Sequence, residues 1–187
     1  MSRIVTREQY FESALAALAE LGFTGLNIRL MCTRLGVTAG SFYHHFGSWQ
    51  GFVDALLAYW ENRQVMILRD VEFGVGPPEV DIESLRQLTL GLRHEAEAAI
   101  RAWGANDESV RVVRDRVDEA RWKTVYKAVL RVVGDRSVAT VVTSLGMSML
   151  VGYQQVAADD GYVPLERLLD EYVQIIYSHA EASFQRN

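Results

Sequence analysis

The sequence predicts an all-α protein. Apolar residues recur at helical spacing along almost the whole chain, and no segment alternates apolar and polar residues as a half-buried strand would. Proline, which interrupts helices, occurs only at Pro77, Pro78 and Pro164. The 187 residues suffice for one mid-sized domain or two small ones. The predicted division is a three-helix domain over 1–47 and a larger helical domain over 48–187.

The elements follow in order. Thr6 to Gln9 has capping-box spacing, so a first helix starts there and carries Phe11, Ala14, Leu15, Leu18 and Leu21 as an apolar stripe up to Gly22. Asn27 is a good N-cap for a short helix Ile28–Leu35, ended by Gly36. A third short helix spans about Ala39 to His45. Ser48 caps a long fourth helix with Phe52, Val53, Leu56, Leu57 and Trp60 on its apolar side. Gly74 to Pro78 is the clearest break in the chain.

Beyond the break, a helix or helix pair is expected from Asp81 to Ala102. Asp107 opens a helix to about Val133, with Trp122, Val125, Tyr126, Val129, Leu130 and Val133 on one face and Lys123, Lys127 and Arg131 on another. The segment Asp135-Arg136-Ser137 starts the next helix, expected to end near Asp159. Pro164 suits the first turn of the last helix, where Leu165, Leu168, Leu169, Tyr172, Ile175, Ile176 and His179 share a side.

Composition bounds the function. Hydrophobic residues make up 49% and charged residues 23%, as in an ordinary folded domain. The net charge of -5 means that any nucleic-acid surface must be local. The single cysteine, Cys32, allows no intrachain disulfide and no zinc-finger pattern, and it suits a reducing cytoplasm. The N-terminus lacks the apolar stretch of a signal peptide. The apolar-rich stretch 138–156 contains Thr140, Thr143, Ser144, Ser148, Gln154 and Gln155, so it reads as a buried helix rather than a membrane span. No nucleophile elbow, phosphate loop, metal-ligand helix motif or dinucleotide fingerprint occurs, so no catalytic residue, metal ligand or cofactor is expected.

Asn27 to Phe46 has the pattern of a helix-turn-helix. Cys32 is small where the two helices cross, and Gly36 stands at the left-handed turn. Met31, Leu35, Val37, Phe42 and Phe46 lock the pair, while Thr38, Ala39, Gly40, Ser41, Tyr43 and His44 are short polar or aromatic residues at the N-terminus of the second helix. The run Leu35-Gly36-Val37-Thr38-Ala39-Gly40-Ser41-Phe42-Tyr43-His44-His45-Phe46, with Gly47-Ser48 after it and Gly22-Phe23 before, resembles the DNA-binding domain of the TetR family of bacterial repressors. The match covers about residues 6 to 57. The rest of the chain agrees in length, helix content and ordering.

The resemblance implies roles. Thr38, Ala39, Gly40, Ser41 and His44 fall where members approach base edges, and Tyr43 and His45 where members touch phosphates. Asn27 and Arg29 fall at backbone-contacting positions. Two departures stand out: Ala39 and Trp49 occupy places where many members carry a basic residue. Trp49 either donates its indole N–H to a phosphate or packs. Residues 1–60 hold Arg3, Arg7, Arg29 and Arg34 against Glu8, Glu12, Glu20 and Asp54, a balance of zero that predicts modest non-specific affinity and a shallow salt dependence.

Several residues carry two readings. His44 and His45 are adjacent on a helix and point about 100° apart, which disfavours a shared metal. Cys32 is a small core residue or a redox sensor. The aromatics and methionines Tyr59, Trp60, Phe73, Trp103, Trp122, Tyr126, Met147, Met149 and Tyr153 either pack or line a pocket between helices, with Trp60, Trp103, Trp122, Tyr126, Met147 and Tyr153 as the pocket candidates. The Lys123-Lys127-Arg131 stripe is a solvated face or an anion contact.

By the same resemblance, Val138, Val141, Val142, Leu145 and Met149 with Leu168, Tyr172, Ile175 and Ile176 form a homodimer interface as a four-helix bundle. The implied function is a repressor that binds a near-palindromic double-stranded operator and is released by an unidentified small-molecule effector. An activator or co-repressor-dependent regulator, or a helical dimer without DNA binding, remains the alternative.

Overall fold

A computed structural model describes residues 5–70, 73–156 and 163–184, with the side chains of 69, 70 and 182–184 excepted. Among the described residues every regular element is helical. The helices are α1 (Arg7–Gly25), α2 (Ile28–Leu35), α3 (Ala39–Phe46), α4 (Trp49–Asp70), α5 (Pro78–Leu90), α6 (His94–Gly104), α7 (Glu108–Val133), α8 (Arg136–Val156) and α9 (Leu165–Phe184). The expected end of the eighth helix near Asp159 lies outside the described residues.

Local chemistry sets the starts. Thr6 and Gln9 form the reciprocal capping box on α1, with the Thr6 N–H donating to Gln9 Oε1 at 2.8 Å. Ser48 Oγ accepts the Gly51 N–H at 2.9 Å to open α4, and Asp107 Oδ1 accepts the Ser109 N–H at 2.9 Å to open α7. As expected, Gly22 ends the regular run of α1: at φ 67° and ψ -178° it leaves the helical conformation, and a short helical turn follows through Gly25. The region expected as a helix or helix pair is a pair, α5 and α6, parted at Gly91.

The chain forms two compact units. The first takes Met1–Gln64 and Arg93–Val117, the second Val65–Leu92 and Asp118–Asn187. In the first, Tyr10, Phe11, Phe42, Phe46 and Phe52 are buried together, with Phe46 and Phe52 centroids 5.0 Å apart. Burying each such ring stabilises by about 1.5–3 kcal/mol. Helix α6 packs along α1: Trp103 stacks on Phe23 at 6.2 Å, and the Trp60 Nε1–H donates to the buried Glu97 Oε1 at 3.1 Å. In the second unit, Ile82, Val129, Val133, Val142, Tyr172 and Ile176 make the core.

The chain passes between the units after Gln64, Leu92 and Val117. An arginine beside each passage is tied within the first unit. Arg63 and Arg93 both bond Glu12 at 2.5 Å, and Arg116 bonds Glu61 at 2.6 Å. Glu12 also accepts the Tyr59 hydroxyl at 2.6 Å. Burial works to raise the Glu12 carboxyl, but Tyr59, Arg93 and Arg63 outweigh it and hold the group below its ordinary range.

Candidate functional site

The α2–α3 pair is built for presentation. Asn27 Oδ1 accepts the Leu30 N–H at 2.9 Å and Thr38 Oγ1 the Ser41 N–H at 3.3 Å, so both helix starts are capped by their own side chains. Gly36, at φ 65°, turns the chain from α2 toward α3 through the left-handed region that disfavours a Cβ. Met31 and Phe42 are fully buried and hold the pair to α1 and α4.

That burial leaves the other side of α3 to solvent. Thr38, Ala39, Gly40, Tyr43 and His44 are exposed, as are Asn27 and Arg29 on α2. Ser41 and His45 are half-buried: the Ser41 hydroxyl lies 3.4 Å from Tyr10 Oη, and the His45 ring lies 5.4 Å from the Tyr10 ring. Trp49 is half-buried against Phe42 and Phe52, at centroid distances of 6.3 and 5.3 Å. The ten residues read from the sequence therefore occupy α2, α3, their caps and the first residue of α4.

The local cations are few. Arg34 is bonded to Glu20 at 2.5 Å, and Arg7 lies over the Phe46 ring at 5.1 Å. Arg29 forms no ion pair among the described residues, and Arg3 lies outside them. Cys32 is partly buried, and burial pushes its thiol up, away from the reactive thiolate.

Tyr10 was missing from the apolar stripe read on α1, although it is fully buried and touches Ser41. Its spacing four residues before Ala14 was the available signal. Glu12 gave no sequence signal, because its partner Arg93 is 81 residues away.

The six pocket candidates divide between the units. Trp60 and Trp103 are buried in the first, inside its core. In the second, the Trp122 and Tyr126 rings stack at 5.0 Å, and Trp122 and Met147 line one groove with Ser148 and Val151. Tyr153 is half-buried on α8. Met147 also lines an apolar cavity of about 50 Å³ between α5, α7, α8 and α9. Of the stripe on α7, Lys123 pairs with Glu119 at 2.6 Å, Arg131 bonds the buried Asp81 and the Gly76 carbonyl, and Lys127 is exposed.

The nine interface candidates divide as well. Val142, Tyr172 and Ile176 are buried within the second unit, whereas Val141, Leu145 and Ile175 are exposed by 66, 47 and 37%. Val138, Met149 and Leu168 are half-buried. No described helix is long and apolar enough to cross a membrane.

Residues 11–56 match the family described as "Bacterial regulatory proteins, tetR family". Comparison with curated protein sequences finds no match. Among solved structures, the chain is similar to a transcriptional regulator from Rhodococcus sp. Rha1 at 21% identity and TM-score 0.75, covering 93% of this chain and 97% of that one. A TetR transcription regulator from Haloarcula marismortui is similar at 20% identity and TM-score 0.70, covering 94% and 96%. A ketosteroid transcriptional regulator of Mycobacterium tuberculosis is similar at 16% identity and TM-score 0.62, covering 95% and 96%. These likenesses establish a shared fold along nearly the whole chain.

Proposed function

We propose, from the premise that this chain belongs through its N-terminal helix-turn-helix to the TetR family of bacterial regulatory proteins, that it is a cytoplasmic repressor released from DNA by a small molecule. Residues 1–47 read the operator, and 48–187 serve effector binding and dimerisation. The observation that carries the reading is the two-sidedness of α3: Phe42 and Phe46 are buried while Thr38, Ala39, Gly40, Tyr43 and His44 face solvent. A helix held from behind, with an exposed polar N-terminal turn, is what a major groove accepts.

In this reading Thr38, Ala39, Gly40, Ser41 and His44 approach base edges. Asn27, Arg29, Tyr43, His45 and Trp49 meet the phosphate backbone. Exposed Val141, Leu145 and Ile175 meet a second copy, because exposed apolar side chains favour association over solvent. A two-fold dimer sets its two recognition helices about 34 Å apart, so the operator is near-palindromic. The effector acts by binding the DNA-competent and DNA-incompetent arrangements unequally. The chain performs no catalysis.

Selection of genomic DNA fragments on the purified protein, followed by sequencing, tests this. A motif of two equivalent half-sites one turn apart is the expected result. No enrichment even at low salt would overturn the reading.

A further inference from the structure

The cavity in the second unit has a lining of one chemical kind and a rim of one charge. Ile82, Leu85, Val129, Leu150 and Ile176 give it apolar walls. Its polar groups are already spoken for: the Thr89 hydroxyl donates to the Leu85 carbonyl at 2.8 Å, and the Tyr172 hydroxyl to the Val142 carbonyl at 3.0 Å. The walls therefore offer a ligand chiefly dispersion contacts, with neither hydroxyl proton left to donate.

Size narrows the occupant. A dry cavity of about 150 Å³ holds benzene, whereas this one measures about 50 Å³. An aromatic ring needs more room, but the end of an alkyl chain does not. Met147 and Met149 both line the space, and unbranched thioether side chains yield to an entering chain at little cost.

Arg86 is the lining residue that carries charge. Its side chain is mostly buried, and its guanidinium bonds Asp170 at 2.7 Å and Glu166 at 3.2 Å, with Glu83 at 3.6 Å. Those carboxylates are themselves largely exposed. Three acids surround one base, so the rim carries an excess of two negative charges, and the Arg86 charge is already offset by its neighbours.

We propose that this cavity is the effector site and takes the alkyl tail of an amphipath with a neutral or cationic head, while the acidic rim rejects an anionic head. This rests on the ligand-responsive reading above. Discrimination arises mainly by repulsion, a like charge brought beside carboxylates that outnumber Arg86. It therefore weakens as salt rises.

The test uses the full-length protein and three probes of equal chain length: octylammonium, 1-octanol and octanoate. Binding is read by thermal shift, and position by the methyl resonances of Met147 and Met149. Octylammonium and octanol should bind and move both resonances, with octanoate at least about tenfold weaker. The surface pair Glu166→Gln with Asp170→Asn, which leaves the core untouched, should free Arg86 and narrow or invert that ratio. Equal binding of octanoate to the native protein, no binding of any probe, or unmoved methionine methyls would overturn the proposal. Operator selection on the same preparation separates the two failures. A palindromic motif without the probe order sinks the ligand assignment alone, and the probe order without a motif sinks the DNA-binding reading alone.

Discussion

Tyr172 lies across α8 at Gly146, the position where a Cβ would overlap its ring, and its hydroxyl donates to the Val142 carbonyl at 3.0 Å. Glycine inside a helix ordinarily costs about 1 kcal/mol relative to alanine. Here the close approach of α9 requires it. Gly146→Ala should therefore destabilise by about 1–3 kcal/mol instead of stabilising. Tyr172→Phe, which removes one buried hydrogen bond and keeps the ring, should cost about 1 kcal/mol. Urea unfolding of the two variants distinguishes these sizes.

Tyr43 is half-exposed on α3. Tyr43→Ala should weaken operator binding several-fold and leave the thermal midpoint unchanged. Arg29→Ala should lower affinity across all sequences and reduce the salt slope by about one. A titration at several salt concentrations reads both effects.

Trp49 serves packing and DNA at once in the proposed interface, and Trp49→Phe separates the two. The ring contacts with Phe42 and Phe52 largely survive, so stability should hold while loss of the indole N–H weakens operator binding. Unchanged affinity would leave Trp49 a packing residue.

Glu12 gives the first unit an acid limit. Its carboxyl is held below the ordinary value by Tyr59, Arg93 and Arg63, against the opposing effect of burial. A depressed carboxyl contributes stability that is fully present above its unfolded value. That contribution is lost as the pH falls through the folded one. Glu12→Gln should thus flatten the acid side of the stability profile below about pH 5, where the native protein loses stability. Chemical unfolding across pH 3 to 7 tests this.

Val141 and Leu145 are exposed apolar residues one turn apart on α8. Val141→Asp with Leu145→Asp should yield a folded monomer by light scattering, with helical content intact and operator affinity reduced by at least about tenfold. A dimer of native strength would remove these residues from the interface.

Features within a few residues of one another were legible before any coordinates. Thr6, Asn27 and Ser48 cap because each carries a side-chain oxygen next to the N–H groups it satisfies, and Phe42 and Phe46 are buried because they share one helical face. The break at Gly22 was legible in the same way, but not the short helical turn that follows it to Gly25. Pairings across the chain left no periodic trace. Glu12 with Arg93, and Arg86 with Asp170, follow from packing alone. Composition likewise counts four tryptophans but cannot show that Trp49, Trp60 and Trp103 share one core while Trp122 lines a groove.

The first unit is not a cassette. Its core includes Arg93–Val117, a stretch encoded well downstream of α1 to α4, which supplies Ile100 and Trp103 to the core and Arg93 to Glu12. A gene fusion that borrowed only the leading segment would carry the recognition helix but not the α6 side of its support. New specificities are thus more readily reached by substituting exposed positions on α3 than by grafting the N-terminal segment onto another protein.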